Sequence, residues 1–148
     1  MKLQRIEYSK LNSRQQENFN FQKVSAVLAD YGFVTLRLTD DWHGADFISL
    51  HISGETLRVQ LKGRLTFRKE YVGKSLYVAF GEQNEWYLYP HDELLEKVLA
   101  ATDIGSTVSW TERGGYSFPS IPRNIKPLLE PYRISGTTVP IPVPDNEA

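Results

Sequence analysis

Residues 44–64, GADFISLHISGETLRVQLKGR, place an acid, an amide and a lysine inside runs that otherwise read as strand core. In TLRVQLKGR, Leu57, Val59 and Leu61 alternate with Arg58, Gln60, Lys62 and Arg64. A strand sends the first set to one face and the second to the other. Gln60 and Lys62 then share a face, and Asp46 stands near the start of the preceding strand. An acid, an amide and a lysine around one point suit phosphodiester chemistry. The carboxylate holds a hard divalent ion such as Mg²⁺, which bridges to a phosphate oxygen and activates water. The lysine orients the attacking water and offsets charge developing on the phosphate. QLK alone also fits a charged edge strand, so its context has to carry the reading.

The hairpin register decides whether the three groups can meet. A two-residue turn on Gly54 and Glu55 pairs 46 with 63 and puts Asp46 on the wrong side. A three-residue loop, Ser53-Gly54-Glu55, pairs 46 with 62 and 48 with 60, which brings all three to one face; a bulge achieves the same shift. We therefore expect Asp46, Gln60 and Lys62 on one side of the sheet.

The elements that position them follow from periodicity. Residues 13–31 read as a helix, with Ser13 as N-cap, Gln16 completing a capping box and Gly32 as the left-handed residue past its end. Phe21, Val24, Leu28 and Tyr31 recur at spacings of three and four and mark the buried stripe. Four residues before Phe21 the stripe reaches Glu17, which either packs against the sheet as a second carboxylate or bends to water as a dipole-favouring first-turn acid. Strands are expected over 33–38, 45–52, 56–64, 75–80 and 85–90, with 39–44 as a polar loop. A second helix is expected over 91–102. STVSW (106–110) reads as a further strand, and residues 116–132 hold a Pro-interrupted short helix. This order makes a mixed α/β sandwich. One domain is expected over 1–134, with its core motif region at 13–102, followed by an extended Pro-rich tail over 135–148.

Composition narrows the function classes. The 148 residues contain no cysteine, which removes disulfides, thiolate metal sites and a cysteine nucleophile. His43, His51 and His91 lack the spacing of a zinc site. No phosphate-loop, dinucleotide-fold or nucleophile-elbow pattern is present. Neither an apolar leader nor a run of about 18 apolar residues is found, so a cytoplasmic protein without a membrane span is expected. Net charge is −1, yet residues 58–74 carry six basic side chains against Glu70, a local excess of +5. Such a segment attracts phosphate through its own field.

Glu17 on the helix, Asp46 at a strand start and then Gln60-Leu61-Lys62, spread over residues 13–102, resemble the PD-(D/E)xK nuclease superfamily. The QxK form looks like the variant in Mrr-type restriction endonucleases, although Ala45 stands where the motif's proline would be. The resemblance implies a restriction-endonuclease-like α/β fold, a mixed central sheet flanked by helices, and a metal-dependent DNA endonuclease. It implies Mg²⁺ or Mn²⁺ on Asp46, Glu17 and the backbone carbonyl of Leu61, with Gln60 assisting and Lys62 acting on water. Arg64, Arg68 and Lys69 would contact the DNA backbone, and a homodimer would bring two such sites to a duplex. The other reading is a catalytically silent nucleic-acid-binding or protein-interaction module on the same fold.

Overall fold

The computed structural model describes residues 1–135; the tail expected over 135–148 lies, from 136 onward, outside the described residues. The first long element is α1 (Ser13–Ala29). Its N-cap is Asn12, one residue before the expected Ser13. The Asn12 side chain accepts from the Gln15 N–H, and the Gln15 side chain accepts from the Asn12 N–H, each at 2.9 Å. This reciprocal pair satisfies two amides that a helix start otherwise leaves open. Gly32, at φ +88°, turns the chain into the sheet as expected.

Five strands form the central sheet: β1 (Phe33–Trp42), β2 (Ala45–His51), β3 (Thr56–Lys62), β5 (Tyr77–Glu82) and β6 (Glu85–Pro90). They lie in sequence order, antiparallel except for β3 and β5, which run parallel. The parallel step needs a crossover, and the chain fills it with β4 (Leu65–Arg68), a strand that the sequence reading missed. β4 leaves the main sheet to pair with β7 (Gly115–Phe118) in a second, two-stranded sheet. The mixed α/β architecture expected from the sequence is what is seen.

The two sheet faces are covered differently. On one, Val24 and Leu28 of α1 pack against Phe47, Val59, Ala79 and Trp86. On the other, Leu94, Leu95 and Val98 of α2 (His91–Ala101) join Leu65, Phe67, Val78, Phe80 and Tyr89. Trp86 and Tyr89 are thus core, one on each face of the sheet, as their odd spacing along β6 requires. The expected strand STVSW is instead the short helix α3 (Val108–Thr111), because Thr107 caps it by accepting the Trp110 N–H. The Pro-interrupted helix is α4 (Lys126–Leu129).

His91 ties the crossover to the body. It is fully buried, its Nε2 accepts the Arg68 N–H at 3.0 Å, and its Nδ1 lies 2.9 Å from the Asp92 carboxylate. With Nε2 accepting, the proton belongs on Nδ1 and the ring is neutral. Burial holds the His91 pKa below the usual 6.5, and the Asp92 carboxylate only partly opposes this. A depressed histidine binds its proton more readily in the unfolded chain, so stability is complete above about pH 6.5 and falls as pH drops toward the folded pKa. Urea midpoints should therefore decline as pH drops below about 6.5. His91→Gln, which keeps an oxygen for the Arg68 N–H, should flatten that decline; an unchanged slope would place the titration elsewhere.

Candidate functional site

The β2–β3 loop is a three-residue loop, but it consists of Ile52, Ser53 and Gly54, since the His51 N–H already donates to the Glu55 carbonyl at 2.8 Å. Phe47 pairs with Val59 and Leu50 with Thr56, so Asp46 stands opposite Gln60, not Lys62 as expected. The slip is of two positions. Side chains alternate with period two, so the faces are unchanged. Asp46, Gln60 and Lys62 all line one cleft of about 770 Å³ at the end of the sheet.

A break in the first hairpin opens that cleft. Residues 39–44, expected as a polar loop, are mostly strand. β1 runs to Trp42 and turns on His43 and Gly44, both at positive φ (53° and 84°). Two consecutive left-handed residues make the tight turn that fits strand twist. A Cβ on Gly44 would also stand 3.0 Å from Leu76. Arg37 pairs with Phe47, and the next pair is Trp42 with Ala45, so residues 38–41 face Asp46 alone. Such a bulge bends its strand away from its partner, and Leu38, Thr39 and Asp40 become cleft wall.

Asp46 works in this gap. Its Oδ2 accepts the Leu61 N–H at 2.8 Å, standing in for a ladder acceptor on β2. A strand residue directs N–H and C=O to the same edge, so the Leu61 carbonyl also faces the Asp46 side. Gln60, nearly buried, donates its amide nitrogen to the Gly44 carbonyl, which leaves its Oε1 as an acceptor. The Lys62 ammonium sits 5.7 Å from the centroid of the buried Tyr71 ring. A cation over an aromatic face gains about 0.5–1 kcal/mol at exposed sites, enough to bias its position.

Glu17 reaches the same cleft from α1. It is more than half exposed, and its Oε1 accepts from Arg37 Nη2 at 2.6 Å. Arg37 also donates to Asn18 and lies over the Phe21 ring at 5.4 Å, so it bridges β1 and α1. Of the expected DNA contacts, Arg64 is exposed. The Arg68 Nε is 2.6 Å from Glu70, and Lys69 lies over the Trp110 ring at 5.3 Å. None of the three lines the cleft.

The charged groups that line it, among the described residues, are Arg14, Arg37, Lys62 and Lys74 against Glu17, Asp40, Asp46 and Glu70, four of each sign. Sequence reasoning missed Arg14, Arg37, Asp40 and Lys74. A signal for Arg37 was present: alternation from Phe33 puts it on the α1-facing side, where a cation calls for an acid on the helix. Asp40 had no comparable signal, because its role depends on the bulge.

The donors around Asp46 are all oxygens: a carboxylate, a backbone carbonyl and an amide. That chemistry fits a hard divalent cation which keeps several waters and takes further oxygens from a phosphate. Among the described residues, no group of three or more His, Asp or Glu side chains is placed to cage an ion without such help. Nor is any described helix long and apolar enough to cross a membrane.

No family model matches the chain, and no curated protein matches it in sequence. Among solved structures it is similar to a bacterial homing endonuclease at 14% identity, covering 82% of this chain and 86% of that one, with a TM-score of 0.49. It is also similar to a Holliday junction resolvase from the archaeal hyperthermophile Archaeoglobus fulgidus at 15% identity, covering 49% and 76%, with a TM-score of 0.40.

The hydrogen bond from Leu61 makes Asp46 structural as well as chemical. Asp46→Ala leaves that N–H without its acceptor and should cost about 1–3 kcal/mol in urea unfolding. Asp46→Asn keeps an acceptor and should cost clearly less. Glu17→Gln breaks an exposed pair and should cost about 1 kcal/mol or less. Equal losses for the two Asp46 variants would show that the Leu61 contact contributes nothing.

Proposed function

We propose that residues 1–134 form one metal-dependent DNA endonuclease domain of the restriction-endonuclease-like kind, hydrolysing phosphodiester bonds at Asp46. One observation carries the reading: Asp46, Gln60 and Lys62 open into a single cleft, with Glu17 reaching in from α1. Asp46 and Gln60 each make a structural hydrogen bond there, and both still open into the same cleft as Lys62.

In this reading Asp46, the Leu61 carbonyl and the Gln60 Oε1 hold Mg²⁺ or Mn²⁺. The bound ion supplies positive charge to a phosphate oxygen and acidity to a water. Lys62, supported by Tyr71, orients the attacking water and faces the charge that grows on the phosphate. Arg37 and Arg14 line the cleft and would donate to a phosphate held there. As Arg37 turns to the phosphate, Glu17 becomes available as the second carboxylate. Arg64 and Lys69 remain accessible to the DNA backbone, whereas Arg68 is already neutralised by Glu70. A homodimer would present two such clefts to the two strands of a duplex.

A second reading, a catalytically silent DNA-binding module, is favoured by two features of the same cleft. Gln60 is neutral and its amide is already engaged, and Glu17 is already paired. Cleavage of plasmid and branched DNA with Mg²⁺, Mn²⁺ or EDTA separates the two. The nuclease reading expects nicking or cutting that EDTA abolishes; inactivity on every substrate with DNA binding intact supports the silent module. Lys62→Ala should leave DNA and metal binding near the parent while cleavage falls by about 10²–10³. Asp46→Asn should lose metal binding and cleavage together. Gln60→Glu adds a negative donor and should tighten metal binding. If Lys62→Ala cuts as fast as the parent, the proposed mechanism is wrong.

A further inference from the structure

Beside the cleft lies a second hollow of about 440 Å³, lined by His43, Gly44, Arg58, Gly73, Lys74 and Ser75. We propose that it is an anion subsite holding the DNA backbone phosphate next to the one at Asp46, an inference that rests on DNA being the ligand of the cleft.

Charge is the first argument. Among the described residues the cleft carries four cations, one of them the shared Lys74, and four carboxylates, so these sum to zero and do little by themselves to draw in a polyanion. The hollow carries Arg58 and Lys74 and no carboxylate among its lining residues. The attractive field at this end of the sheet therefore lies beside the reacting groups, where it can hold the backbone without quenching the acids.

Position is the second. Lys74 and Gly44 line both the cleft and the hollow, so the two are contiguous. Arg58 lies two residues before Gln60 on the same face of β3, which extends the line of polar groups along one strand. The turns that form the rim are tight, with His43 and Ser75 in the left-handed region at φ 53° and 54°.

Preorganisation is the third. The Arg58 Nη2 donates to the Lys74 carbonyl at 2.7 Å, which restrains the guanidinium beside the hollow. An arginine has five N–H donors, so a single carbonyl leaves a fork of them for a phosphate. An arginine needed only to pin the loop at Lys74 could be replaced by any residue that keeps this hydrogen bond. Lysine comes nearest to keeping it and retains the charge, whereas glutamine is shorter and removes the charge, so urea unfolding of both variants separates loop pinning from phosphate binding.

The test is binding of a duplex oligonucleotide across a range of salt, in EDTA and again in Ca²⁺, with cleavage of the same duplex in Mg²⁺ measured alongside. Each phosphate contact contributes about 0.9 to the slope of log affinity against log salt. Arg58→Gln with Lys74→Gln should therefore reduce that slope by about one unit, the share of one phosphate, and Arg58→Lys in the otherwise native chain should keep it. An unchanged slope in the double variant, with the parent binding and cutting normally, overturns the subsite and leaves the nuclease reading standing. A reduced slope in a parent that binds but never cuts supports the subsite and overturns the nuclease reading. A parent that binds no duplex at any salt overturns both.

Discussion

The bond between the Asp46 carboxylate and the Leu61 N–H sits where the main sheet stops being a ladder. On the β1 side, residues 38–41 bulge opposite Asp46, and on the β3 side the ladder ends at the Phe47–Val59 pair. A strand end of this kind leaves backbone amides without partners, and buried amides must find acceptors. Asp46 provides one, and in doing so its carboxylate is held inside the opening. The cleft exists because the sheet frays here, and it stays formed because a side chain finishes the hydrogen bonding that the backbone could not.

Everything around the cleft serves to hold that frayed end in one shape. Gln60 ties β3 to the Gly44 turn, and Arg37 ties β1 to α1 through Glu17 and Asn18. Behind Lys62, the Tyr71 ring packs edge-on against His91 at 5.3 Å, and His91 anchors the end of β4 through the Arg68 N–H. The polar end of the sheet is thus braced from both layers. The parallel pairing of β3 with β5 requires the chain to leave the sheet after Lys62, and that excursion builds the wall carrying Glu70, Tyr71 and Lys74.

The balance of charge in the cleft has a physical consequence. Carboxylates close together repel one another, and the interleaved cations offset that repulsion. The same cations cancel the field that would draw in a divalent ion from a distance. Under the proposed function, capture of an ion would depend on local oxygen donors, and attraction of a polyanion would depend on surfaces outside the cleft.

Much of this was legible in the sequence because it rests on local periodicity. Alternation in TLRVQLKGR assigned Gln60 and Lys62 to one face, and the stripe through Phe21, Val24 and Leu28 located both the helix and Glu17 at its leading end. The parity of the hairpin was not legible: a two-residue turn and a three-residue loop were both open, and the observed three-residue loop fixes the faces, with the pairing slipped by two from the expected one. What the sequence could not determine depends on contacts between distant segments. The bulge at 38–41, the partner of Glu17, the departure of β4 to pair with β7 and the convergence of Lys74 with Gly44 have no local signature. Side-chain direction is fixed by backbone geometry over a few residues, whereas which charges meet is fixed only when whole layers pack. The sequence by itself determined which residues face the cleft from β3; the tertiary structure decided what they face.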